Sequence, residues 1–475
     1  MHFGVARPPR LRIGSLLLAL ALLAACSGGP QAAATPTPLP GREHAPHETL
    51  PPDATPFPDR LGGEIAAIGR LPKDDHSADF FNSDLAFWGD MAVQGSYDGF
   101  RLIDITDPER PQLLADVACR GPQGDVSIWQ DLVLVSVDRP QSSPGCDSED
   151  ADKVDPLFLP DEGPWEGIRI FDVSRPSAPR LVTSVATDCG SHTHTLLPDL
   201  EHDRLLVYVS SYALQVDPAL APDCLNPHGH ISVLEVPLDA PEEARVIARP
   251  HLFDTPAWQV WPGAGPGLED TAGCHDITLD MARALAAGAC MSEGQIWDLA
   301  DPERPAALAH LDLPDVSFWH SAAWSNDGSV VIFGDENLAE AGCTDAPLGS
   351  LWFYRVDDPA RPQLAGRFSL DRYQGSDICS AHMFNVIPGI DRDLLVSAFY
   401  SGGTSVIDFT DPSNPVEIAY FDAGGRAPGD DWSSYWYRGH IYASDHLRGL
   451  DVFRLSLPDL GDTTMLDHLN PQTQE

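Results

Sequence analysis

Short alternating apolar runs recur along most of the chain, and they predict strands rather than helices. Met91-AVQGS, Leu132-VLVSV, Leu205-LVYVSS, Val330-VIFGD and Leu394-LVSAFY are six or seven residues long and end at turn-forming residues, as strands do. A second kind of run opens on Gly and leads into an Asp/Arg-Pro-x-x-Pro turn and a further β-run. The copies are Gly99-FRLIDITDPERPQLLADVA, Gly167-IRIFDVSRPSAPRLVTSVA, Gly294-QIWDLADPERPAALAHLDL, Gly349-SLWFYRVDDPARPQLAGRFSL and Gly403-TSVIDFTDPSNPVEIAYFDA. Gly229-HISVLEVPLDAPEEARVIA is a degenerate copy, and Arg448-GLDVFRLSLPD stops after its first strand. Proline suits the turn because it fixes φ and donates no ladder hydrogen bond.

The first prolines of these turns fall at 108, 176, 241, 302, 359 and 412. A repeat of that size, with insertions, predicts four-stranded propeller blades. In each blade an innermost strand a, such as Asp276-ITLD or Ala322-AWS, precedes strands b, c and d. The last copy lacks its own strand d, while an unassigned β-run, Gly63-EIAAIGRLP, precedes the first blade. That run is expected to complete the last blade and close the ring, which leaves no sheet edge unpaired. The expected fold is all-β: a single closed seven-bladed β-propeller of four-stranded blades over residues 60–457, followed by a polar C-terminal tail at 458–475.

The Ile-Asp-Ile-Thr-Asp-Pro-x-x-Pro pattern, cleanest at Gly99–Leu114 and Gly403–Ile418, resembles that of the bacterial LVIVD-repeat proteins. The resemblance implies a β-propeller on a secreted or surface protein and leaves activity open. Blade three departs from it at Pro237-LDAP, so a different turn is expected there.

Ahead of the repeats, residues 1–25 carry Arg7, Arg10 and Arg12, then the apolar run Leu16–Leu23 and small residues before Cys26. That order describes a secretory signal, too short in its apolar part for a comfortable transmembrane helix. Leu23-Ala24-Ala25-Cys26 resembles the bacterial lipobox, which implies a lipid thioether on Cys26. Residues 26–59, rich in Pro, Ala and Thr, predict an extended tether. The expected location is therefore the bacterial cell surface or the periplasm, with the membrane touched only through the lipid anchor.

Charge sharpens this picture. The formal net charge is −42, from 71 acidic against 29 basic residues. Such a surface repels nucleic acid and anionic lipid, and its first consequence is solubility. A hydrophobic content of 43% excludes disorder along the whole length.

Eight cysteines follow Cys26: Cys119, Cys146, Cys189, Cys224, Cys274, Cys290, Cys343 and Cys379. An even number in an exported chain predicts disulfides. The blade map favours Cys119–Cys146, Cys189–Cys224 and Cys274–Cys290 within blades, and Cys343–Cys379 across two. A competing scheme joins Cys146 to Cys189 and Cys224 to Cys274.

The candidate chemistry lies on strand a. Aligned on Trp88, Trp129, Leu196, Leu279, Trp324, Val386 and Tyr437, the residue four places earlier is Asp84, Asp125, His192, His275, His320, His382 and Ser433. His194 shares a side of its strand with His192. Imidazoles and carboxylates converging on one axis suit Zn, Cu, Fe or Ni. The alternative is structural, since His at this position also bonds a neighbouring blade's backbone well. No G-x-S-x-G, H-E-x-x-H or Walker loop occurs. The acidic run Asp147-SEDADKVD lacks EF-hand spacing and reads as a solvated loop.

Two functions follow as expectations. One is a cell-surface binding module that takes an unknown protein or small-molecule ligand on its long loops at 138–166, 212–229 and 335–349, since loops on a rigid scaffold carry function. The other is a metalloenzyme, redox or hydrolytic, with a His/Asp site at the channel mouth.

Overall fold

The computed structural model describes residues 58–475 apart from 74–79, 156–158, 160–162, 212–219, 221–223, 225–227, 253–272, 292, 314, 317, 337–348, 371, 373–379 and 426–428. Cys26, Cys343 and Cys379 lie outside the described residues, as do most of the tether and of the loops at 212–229 and 335–349. The described chain is all-β, a propeller-like series of four-stranded antiparallel sheets with only single-turn 3-10 helices between them. The first sheet holds Asn82–Trp88, Met91–Ser96, Gly99–Asp104 and Gln112–Ala118. Later sheets open with Gln123–Trp129, Thr193–Asp199, Asp276–Asp280, Trp319–Trp324, Met383–Val386 and Asp431–Tyr437. The last two sets join into one nine-stranded sheet, because Met383 and Phe384 pair in parallel with Ser433 and Ser434.

Local chemistry makes the repeat. The Asp that ends the third strand accepts a hydrogen bond from the backbone N–H two residues on: Asp104 from Thr106, Asp172 from Ser174, Asp298 from Ala300 and Asp408 from Thr410. This Asx turn starts the reversal that the prolines continue. The glycine opening the third strand has its own reason. Gly99 and Gly167 sit at φ of +140° and +146°, and a Cβ on either would strike the carbonyl oxygen of Val117 or Val185 on the fourth strand. In the third sheet, where Pro237-Leu238-Asp239-Ala240 lacks the motif, the turn is instead the 3-10 helix Pro241–Glu243.

The orphan N-terminal run pairs as expected: Ile65–Pro72 lies antiparallel to Gly449–Leu455 as the fourth strand of the last set. Among the described residues, buried side chains form seven clusters, most of them drawn from two neighbouring four-stranded sets. One of them joins Tyr435, Tyr437 and Val452 of the last set to Leu85, Phe87 and Ile103 of the first. Sheet-to-sheet apolar burial is therefore the main adhesive, at about 25 cal/mol per Å² removed from water.

Polar bonds fix the register between neighbouring first strands. Ser83 Oγ donates to Gly124 O (2.7 Å), Thr193 Oγ1 to His275 O (2.6 Å), Thr195 Oγ1 to Ile277 O (2.6 Å), Thr278 Oγ1 to Ala322 O (2.8 Å) and Ser321 Oγ to His382 O (2.6 Å). Asn385 exchanges two bonds with the backbone of Trp436, and Asn82 Nδ2 donates to Asp445 O across the last and first sets. Hydroxyls in these strands thus satisfy buried carbonyls of the next sheet.

The C-terminal residues, expected only as a polar tail, fold back against the sheets. His468–Leu469 pairs with Phe87 and Trp88, and Leu469 to Thr473 are buried.

Candidate metal centre

The first strands run from a histidine-bearing end to an aromatic-bearing end. His192, His275 and His382 stand just before their strands, and each backbone N–H is bonded to the end of the adjoining second strand: His192 to Ser210 O, His275 to Ala289 O and His382 to Ala398 O. His320 occupies the same place inside a register shift between Trp319 and Ser321. This common backbone position brings the four imidazoles into a contiguous row. Ring centroids are 4.3 Å apart for His192 and His275, 3.7 Å for His275 and His320, and 4.2 Å for His320 and His382.

The row does not act as one ligand set. His192 Nδ1 is 2.8 Å from Asp138 Oδ2, and His382 Nδ1 bonds Trp432 O in the next sheet. His382 therefore fills the structural role that a histidine at this position can take. The middle pair differs. Donor atoms of His275, His320 and Glu336 all lie within 4.8 Å of one another, and all three residues are buried. His320 Nε2 and Glu336 Oε2 are 3.7 Å apart. Contraction of less than about 1 Å would bring such donors to the bond lengths of about 2.0–2.2 Å that Zn²⁺ uses with nitrogen and carboxylate oxygen. Two imidazoles with one carboxylate, leaving positions for water or substrate, are a known catalytic donor set for zinc and for non-haem iron.

Electrostatics suits a cation here. Burial, then His192 and His382, holds His275 well below the ordinary histidine range, so its ring is neutral and able to ligate. Burial raises Glu336 to about 7, against the opposing hydrogen bond from Tyr400. The Tyr400 hydroxyl donates to Glu336 Oε1 at 2.6 Å and so orients the carboxylate, as outer partners of metal ligands do. Tyr400 has a φ of +47°, a conformation that costs a bulky residue roughly 1–3 kcal/mol. It is held by hydrogen bonds to its carbonyl from Gly403 N and Asp431 N. His382 and His446 flank its ring at centroid distances of 4.5 and 5.7 Å.

Glu336 and Tyr400 did not emerge from aligning the first strands. They follow the second strands Val330–Asp335 and Leu394–Ala398. Antiparallel pairing sets the end of a second strand beside the start of the first, so acidic or phenolic residues at that end were the signal to seek.

Asp84, Asp125 and His194 belong to another cluster, a correction to the single ring expected from the alignment. Asp84 Oδ1 accepts from Leu85 N and from the Tyr435 hydroxyl (2.6 Å), and its Oδ2 accepts from Gln472 Nε2 (3.0 Å). Asp125 Oδ2 accepts from His194 N (2.9 Å), and the His194 ring is bonded to Ser127 Oγ and Ser136 Oγ. Burial and the nearby Asp125 push Asp84 up to about 7, and burial with Asp125 and Asp84 raises Asp276 well above the carboxylate range. Register shifts between Asn82 and Leu85 and between Gln123 and Val126 fall at these aspartates.

Three cysteine pairs stand at disulfide-bonding distance: Cys119–Cys146, Cys189–Cys224 and Cys274–Cys290. Cys274 adjoins His275, and Cys189 stands three residues before His192. The acidic loop beyond Cys146 is held by protein groups: Asp150 takes a bidentate bond from Arg120 and an ion pair from Lys153, and Arg169 donates to the carbonyls of Pro144 and Gly145. These disulfides fit an extracellular or periplasmic protein, and no helix among the described residues is long and apolar enough to cross a membrane. No known family profile and no curated protein matches the chain.

Proposed function

We propose that this is an exported, lipid-anchored protein of the LVIVD-repeat kind, built as a closed seven-bladed propeller, that works through one transition-metal ion held by His275, His320 and Glu336. The observation that carries the reading is the donor set itself: two imidazoles and a carboxylate, buried and within 4.8 Å of one another. Support for ring closure comes from the strand Ile65–Pro72 paired on Gly449–Leu455 and from the apolar cluster between the last and first sets. Support for export comes from the three cysteine pairs.

A zinc ion there would lower the pKa of a bound water for hydrolysis, and iron or copper would supply redox chemistry. The protein's part is definite. His275, kept neutral by burial, and His320 offer nitrogen donors, Tyr400 orients Glu336, and His382, pinned by Trp432, forms the neighbouring wall. The test is metal analysis of the purified mature protein. About one equivalent is expected, lost in His275→Ala/His320→Ala and kept in Asp84→Asn. Substoichiometric metal, unchanged by the double substitution, would overturn the proposal.

A second reading, a docking surface for a protein partner, has one observation in its favour. The loop after Cys146 is rigidly held by Arg120, Arg169 and the Cys119–Cys146 bond. Deleting residues 142–152 in the folded protein then abolishes capture of such a partner, and capture that survives the deletion removes this reading.

A further inference from the structure

The end of the first strands opposite the histidines is occupied by the chain's own C-terminus. Between Thr464 and Gln474 the segment makes a hydrogen bond to every four-stranded set in turn. Thr464 N bonds Pro388 O after the sixth first strand, and Asp467 O accepts from the Tyr437 hydroxyl of the seventh. In the first set, Gly89 N donates to Asp467 O. The Asn470 side chain pairs with the Ile128 backbone like a strand, its Oδ1 accepting from Ile128 N (2.8 Å) and its Nδ2 donating to Ile128 O (2.9 Å). Thr473 Oγ1 donates to Leu196 O (2.6 Å), and Leu279 N donates to Gln472 O (2.8 Å). Gln474 repeats the amide device on Trp324, accepting from its N (2.7 Å) and donating to its O (3.1 Å).

These contacts are not those of a tail lying on a surface. Asn470, Gln472 and Thr473 are 2–3% exposed, and Gln472 reaches inward to Asp84. The segment is itself a compact turn, with Thr473 N and Gln474 N both bonded to Asn470 O and Asn470 N bonded to Glu475 O. Backbone groups left at the ends of inner strands need partners when buried. Here Asn and Gln amides, which carry a donor and an acceptor side by side, answer the N–H and C=O of one residue at once.

We propose that this end of the propeller is a built peptide-binding site, and that residues 470–475 are its intramolecular ligand. The recognised chemistry is a short polar peptide whose first and fifth residues are carboxamides. Covalent tethering gives the segment a high effective concentration, so contacts that are weak in trans hold it fully in cis. Occupied in this way, that end is sealed, and the buried Asp84 is closed off behind Gln472. This proposal does not depend on the metal reading.

The test uses the protein ending at Leu469 and a synthetic peptide with the sequence of residues 470–475. Truncation is expected to lower the unfolding temperature by at least about 5 °C, and the peptide to bind saturably and restore it. The peptide carrying Asn470→Ala and Gln474→Ala should do neither. An unchanged unfolding temperature, or a substituted peptide that works as well as the native one, overturns the proposal. If the truncated chain fails to fold, amide exchange in the full chain decides. The N–H groups of Ile128, Leu279 and Trp324 should be protected in the parent and exchange at least about tenfold faster in Asn470→Ala/Gln474→Ala. Equal exchange in both proteins rules the site out.

Discussion

Two buried clusters along the same first strands carry the same kinds of residue and put them to different uses. Beside Asp84 and Asp125, carboxylates meet protein donors: Leu85 N, the Tyr435 hydroxyl and Gln472 for one, His194 N for the other. Beside His275 and His320, the nearest carboxylate, Glu336, instead joins two imidazoles to make a compact donor set. A buried polar cluster is stable when its members answer one another. The acid cluster does so by recruiting Gln472 from the C-terminal segment. The histidine cluster gathers imidazole nitrogen and carboxylate oxygen, the arrangement a cation completes. Repeat position alone therefore does not assign chemistry; what reaches the position from other strands does.

The sharpest way to break this contrast is to remove the central pair. His275→Ala/His320→Ala should weaken Zn²⁺ binding by more than about 100-fold in calorimetric titration, beyond what loss of an outer partner does. Asp84→Asn should leave it within about twofold. Equal losses in the two variants would erase the distinction between the clusters.

Next in size is the staple at the histidine end. Replacing Cys274 and Cys290 by Ser opens a loop with a sequence separation of 16 residues. That should cost about 3 kcal/mol in chemical unfolding, and metal affinity should fall with it, because His275 adjoins Cys274. A stability loss with metal affinity unaltered would show that the bridge does not hold the site.

Tyr400→Phe removes only the hydroxyl that orients Glu336. It should weaken metal binding by about 10–100-fold and shift the visible spectrum of the Co²⁺-loaded protein. Purely structural damage would lower stability and leave the spectrum of the bound fraction unchanged.

The smallest effect belongs to the acid cluster. Asp84 has a folded pKa raised from 3.8 to about 7 by burial and Asp125. A raised carboxyl favours the folded state below the unfolded pKa, and that contribution is lost as pH climbs from about 4 through about 7. The metal-free parent should lose a few degrees of melting temperature over this window from Asp84, and Asp84→Asn should flatten the slope. A parent and variant with parallel curves would show that Asp84 does not titrate there.

Much of this was legible in the sequence, for reasons that are local. The Asp-Pro-x-x-Pro turn works through an Asx bond spanning two residues, as at Asp104 and Asp408, and Gly99 is needed because of its own φ. The pairing of Ile65–Pro72 with the last copy followed from counting strands, and the three bonded cysteine pairs from placing each cysteine on its blade. The histidine row was visible because one backbone position recurs with the repeat. Glu336 and Tyr400 were not, since they arrive from the ends of neighbouring strands across antiparallel pairing. Asp84 and Asp125 share the counted position but are taken up by Tyr435, Gln472 and His194 N, partners that the count from the aromatic anchor does not show. The C-terminal turn carried no local signal at all: Asn, Gln and Thr read as solvent-facing until the backbone groups they meet are known.

The central claim is that His275, His320 and Glu336 hold an ion. X-ray absorption at the metal edge of the metal-loaded, full-length protein tests it most directly. The account predicts two imidazole nitrogens and at least one carboxylate oxygen at about 2.0–2.2 Å, with the imidazole signal lost in His275→Ala/His320→Ala. A first shell of oxygen alone, unchanged by that substitution, would place the ion elsewhere and contradict the account.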